Sequence, residues 1–312
     1  MVQLITRRTF LAGTTFVLGA PVVYGGFIEP MVRLVVTRYR PAPANWPADF
    51  PLRIAVLSDF HVADPWMGLG RVERIVAATN ALQADIVLLL GDYPNNIDFA
   101  PRLVPLPELA RRLADLKAPL GVWSILGNHD WWQDPEAQLT RRGPVKARIA
   151  LEAAGIPVME NDVVRLDHKG HRFWLAGLGD TIALPGTGTR AYDGVHDLEG
   201  TTARIEGDEP AIMMVHEPDI FSRMPNRYAL TLSGHTHGGQ IRIAGWSPVS
   251  ASRFGDRYRY GHIVEHGKHL IVNGGLGCSN LPVRIGVPPE IVLIELGHDS
   301  AAPGAISGAV PG

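Results

Sequence analysis

One cysteine in 312 residues, Cys278, excludes an internal disulfide, and a lone thiol of this kind is expected to be buried and inert. Charge of either sign is also scarce. Charged residues make up 19% of the chain and the formal net charge is −2, so no basic field exists for gripping nucleic acid. No internal repeat or heptad pattern occurs, and residues 1–32 hold no Ala-x-Ala cleavage site. What is abundant is apolar residue (46%), glycine (34) and proline (25). Together these describe a globular chain with a sizeable core and many loops, long enough for one large α/β domain or two small ones.

The amino end has its own character. Arg7 and Arg8 precede Thr9 to Ile28, a run without a charge, and Glu29 closes it. Basic residues before an uncharged apolar stretch describe an export signal or an anchor over residues 1–32. Thr6-Arg7-Arg8-Thr9-Phe10-Leu11 resembles the twin-arginine signal, which directs folded proteins through the bacterial inner membrane. That resemblance implies the twin-arginine export machinery as a partner and an extracytoplasmic or periplasmic location. The competing reading is a chance arginine pair ahead of a buried helix. Val17-Leu18-Gly19 and Val23-Tyr24-Gly25 are weak small-residue sites, and the run is just long enough to span a bilayer. Removal and retention as a membrane anchor therefore both stay open.

Beyond residue 32 the pattern alternates. Arg33 to Tyr39 is rich in β-branched residues and reads as a strand, and Pro41 to Pro51 as a connector. Leu52 to Ser58 and Ile86 to Leu90 read as buried strands, and Gly121 to Leu126 as another. Between them, Gly70 to Gln83 has helical apolar spacing, and Leu106 to Leu116 is a second helix. Strand and helix in alternation argue for parallel pairing with helical crossovers. After a helix at Val145 to Ala154 the texture changes to short strands around Val163 to Leu166, Arg172 to Leu175, Ala211 to Val215, Leu230 to Leu232, His262 to Glu265, His269 to Val272 and Ile291 to Leu296. These predict a second sheet packed on the first, with helices outside: an α/β protein, a four-layer αββα sandwich of two mixed β-sheets, over residues 33–297. The small-residue tail 298–312 is expected to be disordered.

Five short clusters end apolar runs in this order: Asp59-Phe60-His61, Gly91-Asp92, Gly127-Asn128-His129-Asp130, His216 and Gly234-His235-Thr236-His237. Each carries oxygen or nitrogen groups able to bind a hard or borderline metal. The first three sit at carboxyl ends of strands, where open α/β sheets place their ligands. Asp59 and His61 are two apart, so an extended segment would send both side chains to one side. Gly91 lets the chain turn and aim Asp92 into the cleft, where one carboxylate can give an oxygen to each of two ions. Asn128 offers a neutral amide oxygen, His235 and His237 can reach different ions, and His216 completes the set. Such an array describes two metal ions about 3.5–4 Å apart, which make a nucleophile from water at neutral pH and clamp a phosphoryl group. The two ions outweigh two carboxylates and a bridging hydroxide, leaving a net positive cleft for a phosphate ester. His129 stands where it can protonate or stabilise a leaving group on the far side of an in-line attack.

The ordered set D-x-H, G-D, G-N-H-D, H, G-H-T-H closely resembles the calcineurin-like metallophosphoesterase family, from about Ile54 to Leu296. The segments Gly234 to Gln240 and Pro282 to Glu290 are similar to its exported or membrane-associated bacterial phosphodiesterase branch. The resemblance implies one metal on Asp59, His61, Asp92 and His237, and a second on Asp92, Asn128, His216 and His235, with His129 near the leaving group. Mixed His, Asp and Asn ligation suits Mn, Fe, Zn, Co or Ni. Many relatives read G-D-x-x-D, the last Asp orienting the leaving-group histidine; Asn95 stands there in this chain. Asp98 and Asp130 are the candidates to take over.

The substrate implied is a small-molecule or lipid-linked phosphate ester, with a phosphodiester favoured. A pyrophosphatase acting on a nucleotide-linked lipid such as UDP-diacylglucosamine is the second reading. A non-catalytic metal-binding envelope protein, for which Asn95 gives a foothold, is the third. Arg284 is taken as a solvated loop arginine. His168, His171, His196, His262, His266, His269 and His298 are taken as surface residues. Trp131 and Trp132 either line the cleft or cover it.

Overall fold

The computed structural model describes residues 21–297 and 306–309. Expectations for residues 1–20, and for His298, fall outside the described residues. Strand β1 (Val35–Tyr39), β2 (Leu52–Leu57), β3 (Ile86–Leu89) and β4 (Val122–Ser124) open the fold. The helices α1 (Leu69–Ala81) and α2 (Leu106–Leu113) connect the last three of these, and α3 (Asn128–Trp132), α4 (Pro135–Thr140) and α5 (Lys146–Ala153) follow β4. Then come β5 (Asp162–His168), β6 (His171–Gly177), the short α6 (Leu198–Ala203), β7 (Ala211–Met214), β8 (Tyr228–Ser233), β9 (Gly261–Glu265) and β10 (Lys268–Val272). Finally β11 (Glu290–Leu296) and β12 (Ile306–Ala309) complete the set.

Two six-stranded sheets result, ordered β12-β1-β11-β2-β3-β4 and β9-β10-β8-β7-β6-β5. Crossover helices make β2, β3 and β4 parallel, as the alternation of elements dictates. In the second sheet β6, β7, β8 and β10 are parallel, with antiparallel strands at both edges. Alternate residues of facing strands, such as Ile54, Val56, Leu88, Phe173, Ile212, Leu230 and Ile294, form one buried cluster between the sheets. The other face of the first sheet (Ala55, Leu57, Val87, Leu89) packs on Val72, Ile75, Leu109, Leu113 and Leu151 of the helices. The four layers are thus helix, sheet, sheet, helix. Over the second sheet the outer layer is thin, with Phe221 and Tyr258 from short 3₁₀ turns covering Met213 and Val272.

Three elements depart from expectation. The run Ile291 to Leu296 lies in the first sheet, not the second, as β11 between β1 and antiparallel β2. Its apolar stretch Ile291 to Ile294 suits a strand buried on both faces, and periodicity alone cannot say which sheet takes it. The tail expected to be disordered carries β12, antiparallel to β1; the remainder of 298–312 is outside the described residues. The third lies within residues 1–32. A π-helical segment, Tyr24–Val32, is docked on the rest of the fold: Trp66 Nε1 donates to Gly26 O at 3.1 Å and Arg284 N to Gly25 O at 2.8 Å. Among the described residues no helix is long and apolar enough to cross a membrane.

Candidate metal centre

Every expected ligand lies on a loop at a strand's carboxyl end or just beyond one. Asp59 and His61 follow β2, Asp92 follows β3, Asn128 follows β4, His216 follows β7, and His235 and His237 follow β8. Leu276 N and Gly277 N bond to Ser58 O and Asp59 O, and Asp59 N, His61 N and Val62 N bond to Gly91 O, Asp92 O and Tyr93 O. These bonds stitch the ligand loops together across the top of both sheets.

The local backbone is not the extended one expected of Asp59 and His61. Both adopt left-handed conformations (φ 55° and 43°), as do Asp92 (58°), His235 (69°) and His237 (52°). Non-glycine residues held there cost on the order of 1–3 kcal/mol each and persist only where surrounding structure over-determines them. The loop-to-loop hydrogen bonds supply that constraint. Asp59 and His61 converge because the chain coils between them, not because it is pleated, whereas His235 and His237 enter different groups. Gly91 (φ 94°) must be glycine: a Cβ would meet Gly127 N at 2.3 Å.

The side chains converge in two groups, Asp59, His61 and His237 in one and Asp92, His216 and His235 in the other, with ligand atoms within 4.8 Å of one another in each. Asp92 Oδ2 stands 3.1 Å from His216 Nε2 and 3.5 Å from His61 Nε2, so it faces both groups. Asp59 Oδ1 is 3.3 Å from His237 Nε2, and His235 Nδ1 is 2.9 Å from Asn128 Oδ1. Ligand atoms about 2.1 Å from one ion, at ordinary angles, lie about 3.0–3.4 Å apart, which is the spacing these atoms have. His61 Nδ1 faces Pro94 O at 3.1 Å and His216 Nδ1 faces Leu90 O at 2.6 Å. A ring nitrogen donating to a carbonyl leaves the other nitrogen's lone pair for a metal. His216 Nε2 is buried and has no hydrogen-bond partner within normal geometry, an orphan that a cation would satisfy. The residues therefore fit two divalent ions.

Burial opposes a charge on His216, yet Asp92 and Asp59 outweigh it and hold its imidazole well above the ordinary pKa, so the two carboxylates draw positive charge to this place. Burial opposes ionisation of Asp59 and Asp92, yet the surrounding imidazoles outweigh it and hold both carboxyls well below the usual range. Burial pushes His61 down to about 3, keeping its imidazole neutral and able to ligate. Behind His216, Glu217 is buried and its Oε2 accepts from Thr181 N and Oγ1, both at 2.9 Å. Burial and that neighbouring carboxylate push the adjoining Asp180 carboxyl well up.

His129 stands at the rim of the site, its ring 5.1 Å from that of His61. The residue beside it is not Asn95, whose amide bonds only to Ile97 N and O. Asn96 Nδ2 lies 3.1 Å from His129 Nε2, and Gln133 Nε2 lies 3.4 Å from Nδ1. Neither acidic substitute orients the ring. Asp98 is exposed, and Asp130 accepts from the backbone N–H groups of Gly127 (2.7 Å), Asp92 (2.9 Å) and Tyr93 (3.1 Å), clamping two ligand loops together. Trp132 lines the cleft, its ring 5.1 Å from His129, while Trp131 belongs to the core.

Two further expectations need correction. Arg284 is fully buried; it donates to Gly277 O (2.7 Å), Gly274 O (2.9 Å) and Val287 O (3.0 Å) and lies 3.1 Å from His237 Nδ1. Its apolar flanks, Val283 and Ile285, are the one local sign of this burial. His168 is buried too, with Nε2 3.2 Å from Asp85 Oδ1. No feature of the sequence singles out Asn96 over Asn95. Cys278 is buried and reduced, as expected.

Residues 52–239 match the family described as calcineurin-like phosphoesterase, and the chain belongs to that family. It is a phosphoric ester hydrolase. Its relatives include an uncharacterized metallophosphoesterase, YkuE, of Bacillus subtilis strain 168, 29% identical over 301 residues, with 93% of this chain and 97% of that protein covered. A transmembrane protein with metallophosphoesterase domain from Danio rerio is 29% identical over 259 residues, covering 78% of this chain and 53% of that one. Among solved structures, the NAD nucleotidase of Haemophilus influenzae aligns with TM-score 0.45 and 13% identity; 73% of this chain spans 46% of that chain.

Proposed function

We propose that this hydrolase is a phosphodiesterase with a dinuclear divalent metal centre, to which Asp92 would contribute a ligand on both sides. Asp59, His61, Asp92 and His237 would hold one ion, and Asp92, Asn128, His216 and His235 the other. When bound, such a pair lowers the pKa of water toward ~7 and neutralises phosphoryl charge. The observation that carries the reading is the convergence of seven donor side chains from five loops, with Asp92 facing both groups.

The chain's own groups do the rest. Leu90 O and Pro94 O fix the ring orientation of His216 and His61, so their donor atoms need no reorganisation when charge develops. Asn128 adds a neutral donor that leaves the cleft cationic overall. His129 gives a proton to the departing oxygen, its ring held between Asn96 and Gln133. The non-catalytic reading loses its foothold, since Asn95 does not face His129.

The test is hydrolysis of an aryl phosphodiester and of the matching monoester by the manganese-loaded protein, with elemental analysis. Turnover of the diester that stops on chelation supports the proposal. Metal-loaded protein that turns over the monoester and leaves diesters intact would overturn it. His129→Ala should keep both metals and lose more rate on alkyl than on nitrophenyl leaving groups, since only the former need a proton.

The Arg7-Arg8-Thr9-Phe10-Leu11 segment supports the further proposal that the enzyme works outside the cytoplasm, delivered by the twin-arginine machinery. Replacing Arg7 and Arg8 by lysine should leave it inside fractionated cells. Unchanged export of that variant counts against the assignment.

A further inference from the structure

Beside the metal centre lies a cavity of ≈ 210 Å³ that shares His235 and His237 with it. Its walls are mostly apolar, with Ile241, Pro248 and Val249 on one side and Leu281 and Val283 on the other; Thr236, Gln240, Ser279 and Asn280 are the other polar residues among them. No lysine, arginine, aspartate or glutamate lines it. Gln240 is already engaged, its Nε2 donating to Ser279 O (3.1 Å) and Leu281 O (3.4 Å) and its Oε1 accepting from Ser279 N. A sugar or a base placed there would find few free hydrogen-bonding groups. Yet Val249 and Leu281 are 65% and 58% exposed at the mouth of a hydrolytic centre, where water-facing apolar side chains need a partner to cover them.

The apolar surface does not stop at the cavity. Val283 also lines a second cleft with Pro21, Val22, Phe27 and Trp66, where the docked amino-terminal segment meets the domain. Phe99, 60% exposed, extends this strip, with its ring 6.1 Å from that of Trp66. A long flexible chain leaving the metal centre thus meets apolar side chains in sequence. The larger cavity of ≈ 620 Å³ near Asn80, Lys117 and Gly155 lies at the opposite end of the first sheet and does not adjoin the centre.

We infer that the cavity between Ile241–Val249 and Leu281–Val283 is a subsite for the alkyl or acyl substituent of the phosphate ester. This rests on the reading of the adjoining centre as a phosphoester site, and it narrows the substrate to an amphipathic ester. With the phosphoryl group held at the metal centre, a carbon chain attached to it would reach these walls directly, because the cavity shares His235 and His237 with the centre. Each methylene moved from water into such a pocket is worth up to about fourfold in affinity.

Alkylphosphonates test this without turnover, because their carbon–phosphorus bond survives a phosphoesterase. Methyl-, butyl- and octylphosphonate, each below its micellar concentration, are titrated into the manganese-loaded full chain by calorimetry. Octylphosphonate should bind at least about tenfold more tightly than methylphosphonate. Val249→Asp and Leu281→Asp, both at exposed positions, should remove that gain and leave methylphosphonate within about twofold; Leu281→Ala should remove part of it. Equal affinity for the three ligands overturns the subsite, as does a gain that survives both aspartate variants. Turnover of methyl p-nitrophenyl phosphate is measured in parallel. Turnover with no chain-length effect sinks the subsite alone, and a chain-length effect with no turnover sinks the diesterase reading alone.

Discussion

The amide of Asn96 touches the imidazole of His129, Nδ2 to Nε2 at 3.1 Å, while its neighbour Asn95 turns back onto Ile97. Burial, first among the causes, holds the His129 imidazole below its ordinary pKa, and an amide does nothing to reverse that. In Asn96→Asp a carboxylate would favour the imidazolium and raise its pKa by about one unit or more. A proton donor with a higher pKa stays protonated to higher pH. The alkaline limb of kcat/KM on an alkyl-leaving-group ester should therefore move up. Asn95→Asp should leave the profile where it is.

Arg284 ties the late loop to His237, and its three carbonyl acceptors are buried with it. Arg284→Met keeps much of the volume and leaves those carbonyls without their donor, at about 1–3 kcal/mol each. We expect a loss of stability of about 3 kcal/mol or more in denaturant unfolding. Metal affinity should fall as well, because the His237 ring loses its neighbour.

Gly127 is closely confined: a Cβ there would meet Asp92 Oδ1 at 2.4 Å and His216 Cε1 at 2.7 Å. Gly127→Ala should fold, since its φ of −113° suits any residue, but it must displace two ligand side chains. Disturbing ligand orientation costs about 10–100-fold in metal affinity. Metal titration of the variant against the parent measures it.

His262 offers a pH effect away from the metal centre. Burial and the adjacent His269, whose Nδ1 is 3.0 Å from His262 Nε2, push its pKa down to about 4 from an unfolded value near 6.5. Between those values the unfolded chain binds more protons, so stability falls as pH drops from about 6.5 to 4. His262 is substantially exposed, which limits the effect to the order of 1 kcal/mol. His262→Gln should flatten the acid side of a melting-temperature profile relative to the parent. Identical slopes would show that the ring carries no such load.

Much of the fold was legible because its signals are local. Val72, Ile75, Val76 and Thr79 mark a helical face by spacing alone, and the helix forms over Leu69–Ala81. Strand β11 shows the limit: its apolar run Ile291 to Ile294 fits either sheet, and its neighbours Val36 and Ala55 are hundreds of residues away in the chain. The candidate site divides in the same way. Its donor residues stand out by type and order, whereas the left-handed turns at Asp59, His61, Asp92, His235 and His237 arise from loops bonding to one another.

Residue type and order alone therefore determined the strands, the main helices and the set of candidate metal-binding side chains. These depend on periodicity and on donor chemistry that each residue carries with it. Tertiary structure decided that Asn96 and not Asn95 faces His129, that Arg284 is sealed inside, and that an apolar cavity adjoins the centre. Each of those is set by which distant loops come to lie together, and burial is a property of the neighbours rather than of the residue.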